Sequence, residues 1–125
     1  MYKLLFILCV AFTVALPIAA RADKCSATAQ SNAYHSISKN KYVFAFDVNA
    51  GPCGQYACRG YVHFAIRYHF EGDSETVVDR TLVEYKVDSG NSRTHVSLEH
   101  YVATSSNNLV QIDDVAVEEV SCSSP

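Results

Sequence analysis

The chain has 125 residues, of which 49% are hydrophobic, 10 are Lys or Arg, 13 are Asp or Glu and 5 are Cys, for a formal net charge of −3. An acidic chain with no Lys/Arg cluster lacks the basic stripe that a phosphate backbone demands, so nucleic acid is not an expected partner. The length suits one small domain, which buries only about two thirds of its unfolded surface and gains from covalent staples.

The first segment reads as a targeting signal. Met1-Tyr2-Lys3 is a short basic start, Leu4 to Leu16 is an apolar run with Thr13 its one polar residue, Pro17 stops any helix, and Ala20-Arg21-Ala22 is an A-x-A cleavage site. As a helix the run covers about 20 Å, short of a bilayer core of roughly 30 Å. Residues 1–22 are therefore expected to be a cleaved signal peptide. Residues 23–125 would then be one soluble domain, secreted to a bacterial periplasm or the extracellular space, with no membrane span after cleavage. Cys9 leaves with the signal, and Cys25, Cys53, Cys58 and Cys122 remain. An even number of cysteines in an exported chain implies two disulfides, with three possible pairings. Charge is uneven along this domain, with 5 basic and 2 acidic residues in 23–70 against 3 basic and 11 acidic in 71–125. Strands that interleave between two sheets would average that asymmetry out.

From residue 23 onward the patterning is that of strands. Residues 23–40 are polar and weakly patterned, a loose opening that supplies one edge strand. From Lys41, the side chains of Tyr42, Phe44, Phe46 and Val48 share one face and Asp47 and Asn49 the other, until Ala50-Gly51-Pro52 stops the strand. After Cys53 and Cys58, Val62, Phe64, Ile66, Tyr68 and Phe70 line one face while Tyr61, His63, Ala65, Arg67 and His69 line the other. Glu71-Gly72-Asp73-Ser74 is turn chemistry. Val77, Thr81, Val83, Tyr85 and Val87 are then in phase, and Val96, Leu98 and Val102 share a face in 93–103. His100 falls on that apolar phase and is expected to be a half-buried, hydrogen-bonded imidazole. His95 points to the opposite face.

The last apolar segment, LVQIDDVAVEEVSC, changes phase twice. Val110 and Ile112 are even, Val115 and Val117 odd, Val120 and Cys122 even again. One extra residue turns an alternation over, so the pattern predicts β-bulges near Asp113-Asp114 and Glu118-Glu119. The expected fold is all-β: a single-domain antiparallel β-sandwich, immunoglobulin-like or jelly-roll-like, of roughly 6–8 strands with two disulfides. A true immunoglobulin domain is disfavoured, because the chain has no Trp and no Tyr two residues before a late Cys.

Cys53, Cys58, His63 and His69 read C-x4-C-x4-H-x5-H, which on paper resembles a four-ligand zinc site. Strand geometry argues against it. Six residues at 3.3 Å each hold the two histidines roughly 20 Å apart, whereas zinc ligands all lie near 2 Å from one ion. A thioredoxin-like role fails as well, since that chemistry uses C-x-x-C at a helix N-terminus. The favoured pairing closes Cys53 to Cys58 across a turn and Cys25 to Cys122 across the domain. The rival pairings join Cys25 to Cys53 or Cys58, and Cys122 to the other. In the chain-entropy treatment the long loop contributes roughly 4–5 kcal/mol and the short one about 2 kcal/mol.

The outer face of the 61–69 strand carries Tyr61, His63, Arg67 and His69, and with the loop around Gln55-Tyr56 it is the expected ligand-binding surface. Exposed Tyr and Arg recur as interface anchors. Asp113 and Asp114 are candidate calcium ligands, because neighbouring carboxylates at a bulge can face one ion. The Ile-Asp-Asp-Val run also resembles the final strand of jelly-roll carbohydrate-binding modules. Hydrolytic motifs such as G-x-S-x-G and H-E-x-x-H are missing from the sequence. The expected function is non-catalytic and without a cofactor: an exported, disulfide-stapled sandwich that binds a protein or carbohydrate. The alternatives are a calcium-dependent carbohydrate-binding module and a structural surface antigen without a ligand.

Overall fold

Seven strands in two sheets bring the alternating apolar residues face to face. A computed structural model describes residues 25–104 and 107–124; the expected signal peptide, residues 1–22, lies outside the described residues. The strands are β1 (Ser26–Ser31), β2 (His35–Ser38), β3 (Lys41–Gly51), β4 (Cys58–Phe70), β5 (Val77–Val87), β6 (Arg93–Tyr101) and β7 (Val110–Val120). In one sheet β3 is central, with β6 along one side and β1 and β2 end to end along the other; the second sheet runs β5-β4-β7. Every pairing is antiparallel. The weakly patterned opening thus supplies two short edge strands, β1 and β2. Each sheet draws strands from both halves of the chain, so the acidic second half is interleaved with the more basic first. Among the described residues, no helix is long and apolar enough to cross a membrane.

The core lies between the central strands. Phe44, Phe46 and Val48 of β3 meet Val62, Phe64 and Ile66 of β4, and all six are buried. The rings of Phe46 and Phe64 lie 4.6 Å apart at 48°, the tilted geometry that aromatic quadrupoles favour. Burying each of these large side chains contributes on the order of 2–3 kcal/mol. β5 closes one flank with Val83, Tyr85 and Val87.

The two phase changes in the last strand are bulges. Val62, Phe64, Ile66, Tyr68 and Phe70 of β4 stand opposite Val120, Val117, Val115, Ile112 and Val110 of β7. The register shifts fall between Arg67 and Tyr68, opposite Asp114 and Ile112, and between His63 and Phe64, opposite Glu119 and Val117. Each bulge takes up one acidic residue, Asp113 and Glu118, and returns the valines to the core side.

Two close approaches hold the ends of the sandwich. A Cβ on Gly60 would sit 2.0 Å from the Ser121 carbonyl oxygen and 2.9 Å from the Tyr85 ring. The glycine therefore lets the segment after β7 cross β4 closely enough for the Tyr85 hydroxyl to donate to Ser121 O. At the other end Asn40, buried and in the left-handed region at φ 57, turns β2 into β3. Its Nδ2 donates to Asn108 O (2.7 Å), its Oδ1 accepts from Val110 N–H (2.9 Å), and its carbonyl accepts from Val102 N–H (2.8 Å). Asn40 thus meets the backbone on both sides of the β6–β7 crossover, its carbonyl on the β6 side and its amide side chain on the β7 side.

Candidate functional site

The four cysteines among the described residues are all oxidised. Cys25–Cys122 spans 97 residues and Cys53–Cys58 spans 5. The first ties the start of β1 to the segment after β7, and the second closes the loop in which the chain passes from one sheet to the other. Their sulfurs also crowd together. Among the described residues, Cys25, Cys58 and Cys122 are the one group of potential ligand atoms lying within 4.8 Å of one another. Each is already bonded to another sulfur, and His63 and His69 lie on one face along β4, so the C-x4-C-x4-H-x5-H spacing does not converge.

The outer face of β4 carries Tyr61 and Arg67 exposed and His63 and His69 half-buried. Arg67 and His69 border a single concavity with Asp113 and Asp114 of β7 and with Asp73, Ser74 and Thr76 of the β4–β5 turn. The bulge in β7 accounts for this convergence. Asp114 stands opposite Arg67 in register, and the inserted Asp113 is turned onto the same side to reach His69. His69 Nδ1 lies 2.8 and 3.0 Å from the two Asp113 carboxylate oxygens, and Nε2 lies 3.0 Å from Gln111 Oε1. Acceptors at both ring nitrogens suit the doubly protonated imidazole. The hydrogen bond to Asp113, reinforced by its negative charge, raises the His69 pKa above its ordinary value despite some desolvation. Arg67 has neither an ion pair nor a hydrogen-bond partner among the described residues. A cation entering the concavity competes with His69 for Asp113.

The remaining sequence-selected residues separate. Tyr56 is exposed and borders a different depression with Ala57, Arg59, Ser123 and Ser124. That depression lies at the start of β4, whose 13 residues extend about 40 Å at 3.3 Å each. Tyr56 therefore does not share a site with His69. Tyr61 and His63 lie between the two, with ring centroids 6.4 Å apart.

Sequence reasoning passed over Val78 and Leu82 on β5. They stand opposite Arg67 and His63 in register, and they are 41% and 43% exposed. With Tyr61 they are exposed apolar side chains, with Arg80 between the two of β5, on a sheet face that no other layer of the described residues covers. Their signal was present as two aliphatic residues on the polar phase of β5. Ala65, between Arg80 and Ala116 in register, is buried although it faces outward. Beside it the Arg80 guanidinium pairs with Glu118 at 2.9 Å.

The other sheet has a polar outer face. Asp47 accepts from Asn32 Nδ2 (2.7 Å) and from His95 Nδ1 (3.0 Å), and these bonds, His95 foremost, lower its pKa. Lys41 pairs with Glu99 at 3.3 Å and lies over the Tyr101 ring. No protein-family model matches the chain, and neither a curated protein nor a solved structure is significantly similar to it.

Proposed function

We propose that the chain is an exported, disulfide-stapled, non-catalytic binding protein whose working surface is the outer face of the β5-β4-β7 sheet, and that its partner is a protein. The observation that carries this reading is the exposed Tyr61, Leu82 and Val78 on the same face as Arg67, which has no side-chain partner among the described residues. Exposed tyrosine and arginine beside aliphatic side chains have the composition of interface cores, where rigid rings and a guanidinium fork supply most of the binding energy. The opposite face engages its charges internally, through Asp47–His95 and Lys41–Glu99. The two disulfides fit an oxidising compartment, which is where an exported binding protein would work.

A photocrosslinking residue at Tyr61, compared with one at Thr28 on the opposite face, tests the reading in the native extracellular fluid. The expected result is a discrete protein adduct from position 61 that Arg67→Ala abolishes. Adducts of equal yield from both positions, or none from 61, would overturn it.

A carbohydrate partner is the second reading, favoured by the hydroxyls and carboxylates of Ser74, Thr76 and Asp114 around the concavity. In its calcium-dependent form Asp113 must leave His69. Glycan binding that survives a chelator and is lost in Asp114→Ala would support direct recognition of sugar; binding that the chelator abolishes would support the calcium form. Absence of glycan binding removes both.

A further inference from the structure

We propose that β5 is the seam of a two-fold homodimer, in which a second copy of this chain lays its own β5 antiparallel against the first and joins two three-stranded sheets into one. Among the described residues β5 is an edge strand, paired only with β4. The direction of its free backbone groups follows from the bonds on the far side of β4. Arg59 exchanges hydrogen bonds with Ser123 (2.9 and 2.8 Å), and the Tyr61 carbonyl accepts from Ser121 N–H (3.0 Å). Odd residues of β4 therefore point toward the β7 side and even ones toward β5, where Gly60 faces Tyr85 and Val62 faces Val83. Odd residues of β5 are consumed by that ladder. The N–H and C=O groups of Val78, Arg80, Leu82, Glu84 and Lys86 point out from the edge.

That edge carries charged side chains, including Lys86 and the core-facing Asp79, but it has none of the backbone devices that keep edges apart. The other edge of the same sheet, β7, is broken by two bulges, and β1 and β2 are only 6 and 4 residues long. β5 runs 11 residues in unbroken register with β4 and contains neither Pro nor Gly. Its sequence is complementary to itself about Leu82. A two-fold axis there sets Leu82 against the partner's Leu82, Arg80 against the partner's Glu84, and Val78 against the partner's Lys86. These are the same residues whose backbone groups are free, so all of them can exchange hydrogen bonds in the one register. Moving the axis to Arg80 or to Glu84 would place like charges face to face, which is unfavourable across an antiparallel pair. Only the Leu82 axis pairs Arg80 with Glu84, and it brings the exposed aliphatic side chains to the seam. The exposed pair Arg80–Glu118 is not a strong competitor, since such pairs contribute little. The neighbouring edge, β6, presents Arg93, His95, Ser97, Glu99 and Tyr101 outward and has no exposed aliphatic group.

The seam shares Val78 and Leu82 with the proposed partner-binding face, but the two are tested apart: a monomer that still crosslinks a partner through position 61 would sink the seam and spare that face. The test is sedimentation velocity on disulfide-intact residues 23–125 from about 1 to 200 µM. Dimerisation is expected, and Arg80→Glu should weaken it about tenfold, since each two-fold seam contains the pair twice. The double variant Arg80→Glu/Glu84→Arg should restore it. Leu82→Cys, with backbones about 5.5 Å apart across the axis, should give a covalent dimer on mild oxidation, whereas Ser97→Cys should not. A monomer at the highest concentration overturns the proposal. So does a covalent dimer from Ser97→Cys alone, which would move the seam to β6, or a dimer indifferent to the charge swap.

Discussion

His100 and Asp79 each occupy the core-facing phase of an edge strand, and they meet across the gap between the sheets, with Nε2 2.8 Å from Oδ2. Each would be an error in its own strand. Together they form a partly buried bond that links β6 to β5 where the two sheets come closest to solvent, with the imidazole against Phe44. Removing either partner leaves the other half-buried without its bond, a loss of about 1–2 kcal/mol. Denaturant unfolding of His100→Ala, Asp79→Ala and the double variant should give a coupling of about 1 kcal/mol; strict additivity would show that the pair contributes nothing.

Asn40 should be among the least replaceable polar residues. Asn40→Ala removes the side-chain bonds to Val110 N–H and Asn108 C=O and puts at φ 57 a residue less suited than Asn to the left-handed region, for a predicted loss of about 2–4 kcal/mol. Asn40→Gly relieves the backbone but does not restore those bonds, so its loss should be smaller. Equal losses would locate the whole effect in the side-chain bonds.

Gly60 and Tyr85 form one packing unit with Ser121. Gly60→Ala forces the Ser121 backbone away from β4 and should destabilise by about 3 kcal/mol or prevent folding. Tyr85→Phe keeps the ring and loses only the bond to Ser121 O, for about 1 kcal/mol. Chemical denaturation of both variants checks the order.

The disulfides should differ in what they contribute. Cys25→Ala/Cys122→Ala opens a loop of 97 residues and should lower stability by roughly 4–5 kcal/mol, whereas Cys53→Ala/Cys58→Ala should cost about 2 kcal/mol. Calorimetry of the two double variants distinguishes these values.

The His69–Asp113 pair makes a signed prediction about pH. The folded-state pKa of His69 is raised above its ordinary value of 6.5, so its contribution to stability is complete below that value and is lost as pH rises through the folded pKa. The stability difference between the protein and His69→Gln should therefore be largest on the acid side and shrink on the alkaline side. Asp47 behaves oppositely. Its pKa is lowered, so its contribution is present above 3.8 and is lost as pH falls through the folded pKa. NMR titration of His69 and Asp47 in the same sample tests both signs.

Much of the fold was legible because strand alternation is local. The phase changes in LVQIDDVAVEEVSC located both bulges, since burial of five valine or isoleucine side chains against β4 tolerates no other register. His100 was readable for the same reason, because a polar residue on an apolar phase must find a partner. Its partner was not readable: Asp79 lies on a strand of the other sheet, and nothing in the sequence says which strands stack. Asn40 gave no signal either, because its three bonds reach residues more than sixty positions away. Tyr56 and Arg67, grouped on sequence, border different depressions. Neighbours in sequence share a face, but a 13-residue strand separates its two ends by most of the domain.

Side-chain period, turn residues and an even count of cysteines after residue 22 sufficed for the class of fold and the bulges, because each depends on residues within one strand or turn; the weakly patterned 23–40 segment, read as one edge strand, forms two. The concavity formed by Arg67, His69, Asp113 and Asp114 depends on β7 lying beside β4 with one residue inserted, and the placing of Val78 and Leu82 on the same face as Tyr61 depends on β5 lying on the other side. Those adjacencies arise from burying the valines and phenylalanines of distant strands in a single core, a cooperative choice that only the packed chain makes.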